Sequence, residues 1–192
     1  MIEVWKPTKE QLQQAAGKTV PDVIKADLKV LFCGINPGLY TAAVGHHFAR
    51  PGNRFWPALY AAGFTERLLS PFEECGLLKS GYGITNVVAR ATPSADQLTK
   101  TEIVAGGKKL VAKVNRYRPQ ILAVLGLTAY RLAFNHAAAG VGPQAERIGD
   151  TVVWVLPNPS GLNAHYQPKD LARLFGRLRR AAMKDEGLSS ER

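Results

Sequence analysis

The sequence is poor in cysteine and has no long hydrophobic run. Cys33 and Cys75 are too few for a disulfide framework, and their spacing matches no zinc-binding pattern. The longest nearly apolar run, residues 121–129, has about half of the roughly 20 residues that a transmembrane helix needs. The N-terminus, MIEVWKPTKE, is charged and lacks the apolar segment of a secretory signal. These absences predict a soluble, cytoplasmic protein with no membrane partner.

Acidic residues are also scarce relative to basic ones. The 192 residues include 25 Lys and Arg against 15 Asp and Glu, which gives a net charge of +10 at pH 7. This surplus permits a nucleic-acid partner without establishing one, because many basic proteins bind none. With 46% hydrophobic and 21% charged residues, the composition is that of a globular protein, and the length fits one domain. The prediction is a single domain over residues 1–192, with a lead-in at 1–28 and a frayed tail at 187–192.

Four short apolar segments alternate with helical patterns. These predicted strands are residues 29–33, 82–89, 121–125 and 151–156. Strands that are apolar on both faces and alternate with helices indicate a parallel sheet covered on two sides. The predicted fold class is therefore α/β, a three-layer α/β/α domain with a central, mainly parallel sheet of four strands. Ligands of such folds bind beyond the carboxyl ends of the strands, which selects four loops: 34–53, 90–98, 126–128 and 157–163.

The first and last of these loops are rich in glycine and proline. GINPG, residues 34–38, holds Asn36 at a rigid bend, although an Asx-type turn alone explains the same tripeptide. PNPSGLN, residues 157–163, places Leu162 between a glycine and an asparagine. A leucine at such a tip suits an exposed wedge, and a packing contact with the C-terminal helix is the alternative.

The motifs in these loops resemble those of the mismatch-specific uracil/thymine-DNA glycosylases, within the uracil-DNA glycosylase superfamily. In chain order they are GINPG at 34–38, GHHFARPGNRFW at 45–56, GITNVVARATP at 83–93 and NPSGLN at 158–163. The resemblance spans about residues 30–178. It implies a monofunctional glycosylase for base excision repair, which flips a base out of double-stranded DNA and hydrolyses its N-glycosidic bond to leave an abasic site. The implied substrate is uracil opposite guanine, and the sequence does not rank thymine and ethenocytosine against it.

The resemblance also implies the partner and the accessories. The partner is double-stranded DNA with a G·U or G·T mismatch. We also expect a monomer without a cofactor, although the sequence does not fix the oligomeric state. The adjacent histidines, His46 and His47, do not suggest a metal site, because neighbouring side chains point apart and no third ligand has a suitable spacing.

For the catalytic step, the resemblance assigns Asn36 to positioning the water that attacks the sugar. An amide oxygen can orient this water but cannot take its proton, so hydrolysis should be slower than with a carboxylate base. Asp96, the one carboxylate in its loop, is a second catalytic candidate that would assist the water, and a solvated charge or a helix cap is the alternative.

The resemblance also implies a set of contacts to the flipped base. The ring of Phe48 would stack on the base, the backbone N–H groups near Ile35 and Phe48 would hold its carbonyls, and Asn86 would read its Watson–Crick edge. Thr92 falls at another position of polar contact with the pyrimidine, and a neutral His47 would donate to a base carbonyl or a phosphate. The implied substrate-binding residues are Ile35, Gly38, His47, Phe48, Asn86 and Thr92.

The resemblance further implies that the last loop contacts the duplex, and nearby arginines are candidates for phosphate contacts. Ser160 would bind a phosphate, while Gly161 and Leu162 would enter the gap left by the flipped base and offset part of the unstacking cost. The predicted DNA-binding residues are Arg50, Arg54, Arg90, Asn158, Ser160, Gly161, Leu162 and Asn163. The basic residues of the last helix are read as a solvated face. A function from another class stays open, namely a non-catalytic binder of mismatched or damaged DNA that retains the fold.

Overall fold

A central sheet of five strands organises the chain. A computed structural model describes residues 5–189, with side chains through residue 184. Its strands are β1 (Val30–Gly34), β2 (Tyr82–Asn86), β3 (Ile121–Leu125), β4 (Gly142–Ile148) and β5 (Thr151–Leu156). They lie in the order β2–β1–β3–β5–β4, and all neighbours pair in parallel except β4, which is antiparallel to β5. The predicted α/β fold with a mainly parallel sheet is confirmed.

The sheet has one strand more than the four predicted. β4 has the sequence GPQAERI, and most of its residues are exposed because it lies at the edge of the sheet. It therefore lacks the apolar run that identifies the buried strands. A two-residue turn of Gly149 and Asp150 joins it to β5, and Gly149 has a φ of +58°. This Gly-Asp turn is the signal that could have identified the hairpin.

Six α-helices and two 3₁₀ helices surround the sheet within the described residues. The helices are α1 (Lys9–Gln14), α2 (Leu39–Val44), α3 (Phe55–Ala61), α4 (Lys100–Tyr117), α5 (Leu127–Phe134) and α6 (Pro168–Ser189), with 3₁₀ helices at Pro71–Ser80 and Ala95–Gln97. α4 begins at a capping box, in which Thr99 and Glu102 exchange side-chain and backbone hydrogen bonds. Within residues 5–189, no helix is both long enough and apolar enough to span a membrane.

The buried strands have apolar residues on both faces because helices cover both sides of the sheet. In β1, Phe32 packs edge-on against Phe55 of α3 and in a stacked geometry against Phe175 of α6. Its neighbour Leu31 lies in the opposite core cluster, with Leu110 of α4. The resulting three layers explain why the strand sequences show no polar alternation.

Two segments predicted as irregular contain regular structure, and the first 28 residues contain the short helix expected there. The predicted loop at 34–53 includes α2, which runs between Gly38 and Gly45. The lead-in at 1–28 contains α1 as predicted, and its Val23 also forms an antiparallel bridge with Ile84 of β2, while residues 1–4 lie outside the described residues. In the predicted frayed tail, α6 continues through residue 189, and residues 190–192 lie outside the described residues.

The carboxyl ends of β1, β2, β3 and β5 meet at one edge of the sheet. Gly34 at the end of β1 is in register with Asn86 at the end of β2, and Leu125 is in register with Leu156. The loops that follow β1, β2 and β5 carry the motifs. The topology therefore brings segments more than 100 residues apart in sequence to a common site.

Candidate active site

A cavity of about 270 Å³ opens at this edge of the sheet. Its volume is near the lower end of ligand cavities, which are roughly 300–1,000 Å³, and it suits a small ring. Eleven of the predicted site residues line it: Ile35, Asn36, Gly38, His47, Phe48, Arg50, Asn86, Thr92, Asn158, Ser160 and Leu162. The other five, Arg54, Arg90, Asp96, Gly161 and Asn163, are not part of the lining.

The orientation of the Asn36 amide is fixed by two acceptors. Its Nδ2 donates to the carbonyl oxygen of Arg90 at 3.0 Å and to Oγ1 of Thr92 at 2.7 Å. A carbonyl oxygen can only accept, so the nitrogen must face Arg90. Both amide hydrogens are thereby used, and Oδ1 has no partner among the described residues. Asn36 presents an acceptor to the cavity.

Thr92 is buried, and its hydroxyl is committed within the protein. Oγ1 donates to the carbonyl oxygen of Ser94 at 2.7 Å while it accepts the hydrogen from Asn36. The hydroxyl hydrogen is thus not free to donate to a pyrimidine, and the second lone pair of Oγ1 is the only group that Thr92 could still offer. The geometry therefore links Thr92 to the orientation of Asn36.

The Phe48 ring forms one wall of the cavity and is held in a strained backbone conformation. Phe48 has a φ of +53°, which is uncommon for a residue with a bulky side chain. Its ring stacks on Phe55 with centroids 4.1 Å apart and an interplanar angle of 26°. The backbone of the preceding residue, His47, is held by two side chains. The buried Glu74 accepts its N–H at 2.7 Å, and Trp56 Nε1 donates to its carbonyl at 3.2 Å.

A hydrogen-bonded relay sets the orientation of the Asn86 amide. His47 Nε2 lies 2.9 Å from the carbonyl oxygen of Pro21, so Nε2 carries a hydrogen. In the neutral ring, Nδ1 is then an acceptor, and Nδ2 of Asn86 lies 3.4 Å from it. Asn86 Oδ1 consequently points the other way, over Gly34. A β-carbon at position 34 would lie 2.5 Å from that oxygen and 3.3 Å from the Phe48 ring, so glycine is required there.

Sequence reasoning missed two residues that shape this pocket. Gly34 was part of a recognised motif, but its need for close approach depends on side chains from two other segments. Glu74 holds the His47 N–H and also lies 2.8 Å from Nδ1 of His46. Nothing in the sequence around Glu74 indicates this role, because its partners are 27 and 28 residues away.

The loop at 158–163 places Leu162 in solvent. Leu162 is 78% exposed, so the alternative of a packing contact with the C-terminal helix is wrong. The polar side chains of the loop bond to its own backbone. Asn158 Oδ1 accepts the Ser160 N–H at 3.0 Å, Ser160 Oγ lies 3.3 Å from the Leu162 nitrogen, and Asn163 Nδ2 donates to the Asn158 carbonyl at 2.9 Å.

Arg54 differs from the sequence prediction of a phosphate contact. Its guanidinium donates to the carbonyl oxygens of Tyr166 at 2.6 Å and of Ser160 and Asn163 at 2.7 Å each. Its backbone N–H also donates to the Pro159 carbonyl at 2.9 Å. The side chain is partly buried beneath the loop, so its charge is directed to the protein's own backbone.

Arg90 and Arg50 have different surroundings. Arg90 forms a two-point ion pair with Glu102, with nitrogen–oxygen distances of 2.6 and 3.2 Å. The Arg90 guanidinium holds the pKa of Glu102 down to about 2, with further help from the Thr99 N–H and hydroxyl. The predicted phosphate contact would have to share this guanidinium. Arg50 is exposed at the cavity mouth, and its guanidinium has no partner among the described residues.

The structure does not bring Asp96 into the cavity. Asp96 is exposed on the 3₁₀ helix Ala95–Gln97, and the cap of the following helix is Thr99 instead. Its exposed position fits the alternative of a solvated charge, and the role of Asp96 in assisting the attacking water stays a prediction. Among the described residues, no Asp, Glu, Lys or Cys lines the cavity. Cys33 is buried below it, and burial raises the pKa of its thiol far above the ordinary value.

Comparison with known proteins identifies the family and the fold. Residues 21–179 match the family model of the Uracil DNA glycosylase superfamily. The fold is similar to the solution NMR structure of a candidate uracil DNA glycosylase from Methanosarcina acetivorans, with a TM-score of 0.55 and 16% sequence identity. This similarity covers 85% of the present chain and 98% of the archaeal one.

Proposed function

Because the chain belongs to the uracil-DNA glycosylase superfamily, we propose that it is a mismatch-specific member. It acts as a monofunctional hydrolase that releases uracil or thymine opposite guanine from duplex DNA and leaves an abasic site for base excision repair. The observation that carries the proposal is Asn36, whose two amide hydrogens are both occupied. Its free oxygen lies in a cavity that also contains the Phe48 ring.

Base recognition follows from the wall of the cavity. A flipped pyrimidine stacks on Phe48, and Oδ1 of Asn86 accepts the hydrogen at N3 of uracil or thymine. Cytosine has no hydrogen at N3, so its ring nitrogen would face the same oxygen with a lone pair. Ethenocytosine also lacks this hydrogen. The relay from Pro21 through His47 thus favours uracil and thymine over ethenocytosine and over the normal base.

Water activation is modest in this mechanism. Cleavage of the glycosidic bond releases the base as an anion and leaves an oxocarbenium-like sugar, which is attacked readily by a neutral water. Once the bond from C1′ to the water oxygen has formed, one proton of the water passes to the released base or to solvent. Asn36 Oδ1 accepts one hydrogen of that water and aims its oxygen at C1′. No carboxylate among the described residues lines the cavity to take the proton early, so turnover is slow relative to an enzyme with a positioned base.

Leu162 supplies the contact with the duplex. Its exposed side chain fills the gap left by the flipped base and offsets part of the unstacking cost. A G·U or G·T pair is weaker than a matched pair, so the mismatched base flips more readily. Selectivity for mismatches then needs no reading of the surrounding sequence.

The proposal is tested by single-turnover excision from a labelled duplex with one G·U pair, followed by alkali. Asn36→Ala should lower the excision rate constant by about 10²-fold, the scale of a lost positioning contact, and leave duplex binding intact. Asn115→Ala, at an exposed position of α4, is the matched control and should excise normally. Tight mismatch binding by the wild type without abasic sites would support the non-catalytic binder instead. A covalent complex trapped by borohydride would contradict the monofunctional assignment.

A further inference from the structure

We propose that Arg54 is a positioning residue that holds the loop at 159–166 in the shape that presents Leu162 to DNA. This inference rests on the proposed function. It does not assign Arg54 a contact with DNA. Instead, the guanidinium acts as an internal strut beneath the loop, and its loss should impair base flipping more than the chemical step.

The geometry of the guanidinium supports this role. Three carbonyl oxygens of the loop, from Ser160, Asn163 and Tyr166, converge on two of its nitrogens at 2.6–2.7 Å. Arginine provides planar, divergent donors that are always charged, and a lysine ammonium cannot reproduce that fork. Charge-assisted bonds of this length are stronger than neutral ones. The three loop carbonyls therefore depend on the Arg54 guanidinium for their hydrogen bonds.

The other bonds of the loop do not anchor it. Those made by Asn158, Ser160 and Asn163 side chains span two to five residues and shape the tip from within. Of the hydrogen bonds described above for residues 158–166, those to a distant part of the chain all come from Arg54. The sequence separation of its side-chain bonds is 106 to 112 residues.

A close approach of two backbones makes the junction rigid. A β-carbon at Gly161 would lie 2.5 Å from the carbonyl oxygen of Gly52. The turn that carries Arg54 and the loop that carries Leu162 thus touch directly, and Phe55, the next residue after Arg54, stacks against the cavity wall at Phe48. The short segment that contains Arg54 therefore contacts both the loop of Leu162 and the cavity wall at Phe48.

The test compares excision of uracil from two substrates, a G·U duplex and the same strand left unpaired. An unpaired base needs no flipping, so the ratio of the two single-turnover rate constants isolates the contribution of the loop. Arg54→Ala should lower the duplex-to-single-strand ratio by about 10- to 100-fold, and Leu162→Ala should lower it in the same direction. The double variant should be no worse than the poorer single variant, because both changes remove one function.

The variant Arg54→Lys distinguishes support of the loop by the guanidinium from direct binding of a DNA phosphate. If Arg54 bound a phosphate, lysine would retain most of the activity, and the salt dependence of binding by Arg54→Ala would fall by about one unit of slope. That outcome overturns the inference. Two other results would also overturn it. One is that Arg54→Ala loses the same fraction of activity on the duplex and on the single strand, and the other is that the losses from Arg54→Ala and Leu162→Ala add in the double variant.

Hydrogen exchange distinguishes failure of this inference from failure of the proposed function. Arg54→Ala should accelerate exchange of the amides at 160–166 while those of α4 stay protected. This readout needs neither DNA nor activity. If the wild type released no base from either substrate, the proposed function would fail, and exchange would still decide whether Arg54 holds the loop. Unchanged protection at 160–166 would refute the strut.

Discussion

Replacing Thr92 with valine removes a hydroxyl that orients Asn36 and keeps a side chain of similar shape. In the wild type, rotating the Asn36 amide by half a turn would break two N–H donations and turn Oδ1 toward the carbonyl of Arg90. In Thr92→Val, the bond to Arg90 is the one that remains. The preference for the productive orientation should therefore fall by about one hydrogen bond, or roughly 0.5–1.5 kcal/mol. Because the bond to Arg90 still favours that orientation, the excision rate constant should fall by no more than about tenfold.

Single-turnover kinetics at increasing enzyme concentration separate this effect from base binding. For Thr92→Val, we expect a lower maximal rate constant at an unchanged half-saturating concentration. Thr92→Ser keeps the hydroxyl and is the matched control, so it should recover most of the rate. An unchanged maximal rate with weaker saturation would refute the reasoning, because it would mean that Thr92 contacts the base directly. Equal losses in both variants would refute it too, since they would trace the effect to the methyl group.

Three further outcomes are expected. Arg50→Gln should reduce the salt slope of duplex binding by about one unit, whereas Arg173→Gln on the exposed face of α6 should leave it unchanged; equal slopes would exclude a phosphate contact by Arg50. His47→Ala should slow uracil excision, and adding it to Asn86→Ala should cost nothing more, because His47 acts through Asn86; additive losses would contradict the relay. Glu102→Gln should lower the melting temperature at pH 7, since a carboxyl with a folded pKa of about 2 against an ordinary 4.5 stabilises the fold above that range. The difference from wild type should shrink as the pH falls from about 4.5 toward 2, and a difference that persisted at pH 2 would argue against the ion pair.

The buried strands were predictable because their environment is simple. A strand covered on both faces must be apolar throughout, and β1 and β3 are buried along their whole length. The edge strand β4 follows no such rule, because solvent tolerates almost any residue on its outer side. β4 is a strand because it pairs with β5, and the two-residue turn between them is the local signal of that pairing.

The residues of the site were predictable by position but not by partner. Asn36, Phe48 and Leu162 stand in motifs whose order along the chain indicates a shared cavity edge. The motifs do not show whether a side chain is free to contact DNA or is already hydrogen-bonded within the protein. Arg54 and Thr92 are both occupied by groups of the protein itself, and the partners of Arg54 lie more than 100 residues away in sequence. Local patterns contain no information on such pairings.

The segment before β1 has a further consequence, which concerns where the functional unit begins. Pro21 supplies the carbonyl that fixes the tautomer of His47. The adjacent Asp22 accepts the Thr85 hydroxyl at 2.8 Å and pairs with Lys113 of α4. A chain that began at residue 29 would keep every strand of the sheet but would lose the carbonyl that fixes the His47 tautomer, together with the buried side chains of Val23 and Leu28. The segment before β1 therefore belongs to both the base pocket and the hydrophobic core.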